Sequence, residues 1–157
     1  MYEKKEDYQK ARETYNEAIK INKETGDRRC NLHCNIGLGR ICKELNEYEK
    51  ALFFLKEAQK IAEDLDAKPN LSEVYKNLSE VYEKTEETDK ALSLYKDYHR
   101  LKEEILDNET HNKLKNQEIS FAVERSQKEA EIYQLRNVEL KNAYDQLNKK
   151  NEEITDS

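Results

Sequence analysis

The segment YEKALFFLKEAQKI, residues 48–61, places Ala51, Leu55, Ala58 and Ile61 at steps of four, three and three. That spacing brings them to one face of an α-helix. The same line is written twice more: YQKARETYNEAIKI begins 40 residues earlier, at Tyr8, and TDKALSLYKDYHRL begins 40 residues later, at Thr88. Ala11, Ala51 and Ala91 superpose, as do Tyr15, Leu55 and Tyr95, and then Ile21, Ile61 and Leu101. Lys10, Lys50 and Lys90 keep the same register. The third copy departs at Thr88, where the others have Tyr8 and Tyr48, and at Tyr98, where they have Ala18 and Ala58.

A second apolar line precedes two of the three copies. In NLHCNIGLGRICKEL, residues 31–45, Leu38, Ile41 and Leu45 share a helix face; in LSEVYKNLSEVYEKT, residues 71–85, Leu71, Val74, Leu78 and Tyr82 do. TGD at 25–27 and AKPN at 67–70 break the pattern. Gly26 fits a helix stop and Pro69 a helix start. The unit is a helix–turn–helix pair, and a fixed long period of this kind predicts stacked helix pairs sharing one core. Only residues 1–7 precede the first copy's second helix, so that unit reads as incomplete, as if cut inside a longer array.

From Asp89 to Ser157 there is neither Gly nor Pro. The last helix is therefore expected to continue for ~60 residues, about 90 Å. Leu94, Tyr98, Leu101 and Ile105 are expected to pack on the repeats. Further on, Ile132, Leu135, Leu140, Tyr144, Leu147 and Ile154 are candidates for a dimer seam, with Asn151 as a polar step. The residues Leu114, Ile119, Phe121, Ile132 and Leu135 do not hold a single seven-residue phase. That predicts a stutter or a break near 107–112, where DNETHN is a weak helix former. A parallel two-stranded coiled coil is the leading reading; a helix folded back on its own repeats is the other.

The lines NIGLGRI at 35–41 and YEKAL at 48–52, with the two further copies of the latter, resemble the tetratricopeptide repeat over residues 1–101. Ser79 in place of Gly39, and Tyr98 in place of a small residue, depart from that pattern. The resemblance implies an all-α fold: a helix–turn–helix solenoid over 1–101, followed by one long helical connector or coiled coil over 102–157. It also implies a concave groove lined by the first helices, which binds extended or helical peptides. By motif position that groove presents His33, Ile36, Arg40 and Lys43, then Glu73, Lys76, Asn77, Glu80 and Glu83. Lys76 and Asn77 hint at the carboxylate clamp found in part of the family, whereas Gly37 and the glutamates argue against it.

The tail, with KEAEIYQLRNVELKNAYDQLNKKNEEITDS at its end, resembles connectors in bacterial signalling proteins that join such repeats to an output domain. Serine phosphatases, diguanylate cyclases and sensor histidine kinases use connectors of this sort. No motif of those output domains lies in this sequence.

Composition narrows the remaining possibilities. Charged residues make up 39% of the chain and apolar ones 36%, with three Gly and one Pro, which favours helix throughout and a thin core. The 28 basic and 34 acidic residues are interspersed, giving a net charge of −6 without a basic stripe, so nucleic acid is not an expected partner. No apolar run reaches the ~18 residues of a membrane span, and the N-terminus has no signal-like stretch. A cytoplasmic protein with reduced cysteines follows.

Cys30, His33 and Cys34 fall within about one helical turn, yet a structural zinc site needs four ligands, and buried helix thiols fit better. No acid–base pair, nucleophile or phosphate-cradling loop is visible, so no enzyme, metal or cofactor is expected. The expectation is a protein-interaction and dimerisation module, with a protein or peptide in the groove and a second copy on the C-terminal helix. The alternative is a free-standing, peptide-binding adaptor.

Overall fold

In a computed structural model, which describes residues 2–156, five helices follow one another: α1 (Tyr2–Thr25), α2 (Arg28–Glu44), α3 (Tyr48–Asp64), α4 (Lys68–Lys84) and α5 (Thr88–Thr155). No strand occurs among the described residues. The all-α repeat architecture expected from the sequence is present. Helices α2, α3 and α4 each have 17 residues and are joined by three-residue turns, which accounts for the 40-residue period. Pro69 lies in the first turn of α4, where its missing N–H has no intrahelical acceptor to lose.

The four turns share one solution. Gly26, Asn46, Asp66 and Glu86 adopt left-handed conformations, with φ of 72°, 59°, 50° and 63°. At three of them the next N–H donates back to a carbonyl five residues earlier: Glu47 to Cys42 (2.8 Å), Ala67 to Ala62 (2.9 Å) and Glu87 to Tyr82 (2.9 Å). Each bond satisfies a helix-end carbonyl and reverses the chain in minimal length. Asp27 caps α2 by accepting from the Cys30 N–H at 3.0 Å.

The chain forms two compact units, Met1–Asp107 and Asn108–Ser157. In the first, the core runs through α2, α3, α4 and the start of α5, with Leu55, Ala58, Val74 and Val81 wholly buried. Burying a side chain such as Leu55 contributes about 1.5–3 kcal/mol. Leu94, expected on the repeat side, packs against this core, and Tyr98, Leu101 and Ile105 are half-buried.

The glycines of NIGLGRI serve close approach. A Cβ at Gly37 would stand 2.5 Å from the Tyr15 ring, and one at Gly39 would stand 2.5 Å from Leu55 Cγ. In the third unit Ser79 fills the place of Gly39 and donates its hydroxyl to the Ala91 carbonyl at 3.1 Å. Tyr95, in the register of Leu55, is 50% exposed. A side chain in the niche thus coincides with an aromatic residue standing outside it.

One interhelical ion pair repeats with the period. Arg28 meets Asp64 at 2.6 Å, and 40 residues on Lys68 meets Glu104 at 2.6 Å. The residues of α5 up to Glu104 therefore repeat α3. Arg12 bonds Glu47 twice, at 3.3 and 2.7 Å, tying α1 to the turn before α3. That pairing, with Lys50 adding to it, holds the Glu47 carboxyl below its usual range.

The second unit is a stretch of α5 whose described residues are all exposed. The helix is unbroken through 107–112, so the break that was one of the two expectations there is absent, whereas a stutter is a phase change within a continuous helix. Asp, Asn, Thr and His cost at most about 0.7 kcal/mol each relative to Ala, and only Pro deletes a backbone hydrogen bond. No helix of the described residues is long and apolar enough to cross a membrane.

Candidate peptide-binding groove

Helices α2 and α4, the first helices of successive units, lie side by side and bring most of the sequence-predicted groove residues together. Lys43 Nζ donates to Asn77 Oδ1 at 2.8 Å and also pairs with Glu80. Asn77 in turn donates its amide to the Glu73 carbonyl one helical turn earlier, at 2.9 Å. Arg40 reaches Glu73 at 3.6 Å. Basic residues of α2, Arg40 and Lys43, thus face acidic residues of α4, Glu73 and Glu80.

Burial divides these residues into two sets. Asn77 is buried and Lys43 nearly so, and each is held by the other, so they fix the spacing of α2 and α4. Charge-assisted bonds of this kind contribute more than neutral ones because one partner is ionised. His33, Arg40, Lys76 and Glu83 are exposed, and Glu73 and Glu80 are intermediate. The exposed set is what a ligand would meet first. Lys43, Glu80 and Glu83, with Tyr48 and Asn46, also line a shallow pocket of about 240 Å³ near the ends of α2 and α4.

Ile36 does not belong to the groove. It is 4% exposed and part of the core, because α2 is packed by α1, α3 and α4 and has only a narrow solvent strip. The clamp suggested by Lys76 and Asn77 is likewise not assembled, since the Asn77 amide is engaged within α4 and with Lys43. Sequence reading missed the pairing of Lys43 with Glu80 and of Arg28 with Asp64. A signal for the latter was present: the 40-residue shift that superposes Ala51 on Ala91 also lays Arg28 on Lys68 and Asp64 on Glu104.

The cysteines do not converge on a reactive centre. All three are free thiols; Cys34 and Cys42 are buried and Cys30 is partly exposed. Burial first, and Cys30 second, push the Cys34 thiol up to about 11, the opposite of what a nucleophile requires. Among the described residues, no three of His, Cys, Asp and Glu stand close enough together to hold a metal ion.

The dihedral turns, the helix pairs and the translated ion pair define an α-helical repeat array. Residues 1–64, which span α1 to α3, match the model of a tetratricopeptide repeat family. Repeats of this type serve generally as protein–protein interaction modules. No curated protein and no solved structure matches the chain.

The six candidate seam residues all lie on α5. Ile132, Leu135, Leu140, Tyr144, Leu147 and Ile154 are each at least half exposed, and Leu140 reaches 71%. Asn137, Leu140, Tyr144 and Leu147 line one continuous apolar recess on the helix surface.

Proposed function

We propose that this protein is the interaction and dimerisation module of a cytoplasmic bacterial signalling protein. The repeats would dock a protein or peptide on the α2/α4 face, and α5 would pair two copies and pass a change in pairing to an output domain. The observation that carries this reading is that one helix, α5, both completes the third repeat and continues as a Gly- and Pro-free stretch with an exposed apolar stripe. An apolar stripe on an otherwise polar helix has no stabilising role unless another surface covers it.

Light scattering of the full chain tests the pairing. Twice the 18.7 kDa chain mass at micromolar concentration is expected. A strict monomer up to 100 µM, which leaves an association free energy weaker than about −5.5 kcal/mol, sinks the dimer reading.

A second reading, a free-standing adaptor, rests on the exposed charges of the groove. It expects peptides selected from a displayed library to lose binding on Arg40→Glu or Lys76→Glu. Selected peptides indifferent to both changes would refute it.

A further inference from the structure

The geometry points to a particular partner for the exposed face of α5: residues 119–154 of a second copy of this chain, parallel and in register, with Asn137 and Asn151 as two self-paired polar layers. This rests on the dimer reading above and specifies its surface.

Steps of four and three from Ile119 run to Ile154 without interruption. One line of the repeat holds Ile119, Ser126, Tyr133, Leu140, Leu147 and Ile154. The other holds Val123, Ala130, Asn137, Tyr144 and Asn151. All are exposed. The order of the steps makes the first line the d positions of a heptad and the second the a positions. Five heptads exceed the three to four that mark a coiled coil, and a strict seven-residue period requires a partner helix to supercoil against. Leu135, one of the seam residues expected from the sequence, falls elsewhere: nine residues from Tyr144, it lies ~180° around the helix. With Leu114 and Phe121 it occupies the outward f line.

The two asparagines identify the occupant. An Asn side chain carries both donors and an acceptor, so an identical Asn across a two-fold axis satisfies it, while an apolar partner surface leaves it stranded. In a parallel pair, a residues face a residues. Asn137 then meets Asn137 and Asn151 meets Asn151. An antiparallel pair sets a against d, where the line offers the hydroxyls of Ser126 and Tyr133, and no alignment of residues 119–154 places both asparagines opposite them. A slip of one heptad sets Asn137 against Tyr144, and a slip of two keeps one Asn layer out of two. Only the unshifted parallel pair satisfies both.

Flanking charge does not select this arrangement. In it Arg136, at a g position, meets Lys141 of the second copy at an e position. The polar layers therefore carry the register, as a single a-position Asn does in two-stranded coils.

The test uses the full chain with the partly exposed native thiol removed (Cys30→Ala). Single cysteines are placed at Tyr133, Leu140 and Leu147, with Leu135→Cys as the outward control, and disulfide formation under mild oxidation is followed on non-reducing gels. All three d-position variants are expected to cross-link at least tenfold faster than the control. Cross-linking at no more than one of the three, with a dimer mass in light scattering, refutes the parallel register and leaves the dimer reading standing. A monomer mass overturns both.

Asn137→Ile with Asn151→Ile is expected to raise the melting temperature and to spread the mass to species larger than two chains. A single dimer with an unchanged cross-linking pattern would show that the asparagines do not set the register. Arg136→Glu, which faces Lys141 only in the parallel pair, is expected to raise the melting temperature; a fall counts against it.

Discussion

Gly39→Ala isolates the close approach on which the repeat core depends. The added Cβ would stand 2.5 Å from Leu55 Cγ and 2.6 Å from its Cδ2. Leu55 is fully buried, and Cγ is a branch point rather than a flexible tip, so relief requires α2 and α3 to move apart. Overpacking of a tight core costs about 1–3 kcal/mol. Alanine returns up to about 1 kcal/mol through its helix propensity. With a branch point in the way the cost falls in the upper half of that range, about 2–3 kcal/mol, so a net loss of about 1–2 kcal/mol is expected, read as a lower urea midpoint by circular dichroism at 222 nm.

Gly37→Ala is the internal control. Its Cβ meets the far end of the Tyr15 ring, and that ring is half-buried and able to rotate outward. There the propensity gain offsets the contact, and stability is expected to stay within about 0.5 kcal/mol of the parent. Leu55→Ala alone is expected to cost about 2–5 kcal/mol. Combined with Gly39→Ala it should cost less than the sum, by at least about 1 kcal/mol, because the new methyl enters the space the leucine vacates. A Gly39→Ala protein as stable as its parent, or strict additivity in the double variant, would refute the reasoning.

Three further outcomes follow from named contacts. Glu86→Gly relieves a left-handed φ in a residue ill suited to it and should stabilise by about 0.5–1 kcal/mol in thermal unfolding, with Asn46→Gly nearly neutral because Asn tolerates that region. Lys43→Met removes the donor to Asn77 and the partner of Glu80, and about 1–2 kcal/mol should be lost in urea unfolding, while Glu80→Gln should cost less because Asn77 keeps its donor. Burial and Cys30 hold the Cys34 proton up to about 11, whereas an unfolded thiol loses it near 8.5. The folded state then binds the extra proton, so this contribution is full below the unfolded value and is lost as pH rises towards 11. The urea midpoint between pH 8 and 10 should fall more steeply in the parent than in Cys34→Ala.

Much of the fold was legible because burial follows periodicity. Ala51, Leu55 and Ala58, read from spacing, are wholly inside. Gly26 announced a helix stop because glycine takes a positive φ without strain, and Pro69 a helix start because its φ is fixed and it has no N–H to pair. Glu86 gave no such warning, since its left-handed turn is imposed by the repeat rather than by the residue. The groove was less legible. Ile36 was assigned to it by motif position, but α2 is enclosed by three helices, and helix phase alone does not count neighbours. Of the stutter or break expected at 107–112 the break is absent, because weak propensities change the stability of a helix before they change its path. Ile132 and Leu135, expected at the seam, lie outside the a and d lines of the register proposed above.

The translated ion pair has a consequence for how this array changes length. Arg28–Asp64 and Lys68–Glu104 are joined at the same two places in each unit, and the turns at Asn46, Asp66 and Glu86 are interchangeable in conformation. A tandem duplication of 40 codons with its junction between Asp66 and Ala67 would add one more left-handed turn of each kind and one more copy of the Arg28–Asp64 pair. One of 39 or 41 would rotate each following helix by about 100° and carry its apolar face out of the stack. Growth and loss in a gene of this kind are therefore quantised by the structure, and length variants in whole units are the ones expected to remain folded.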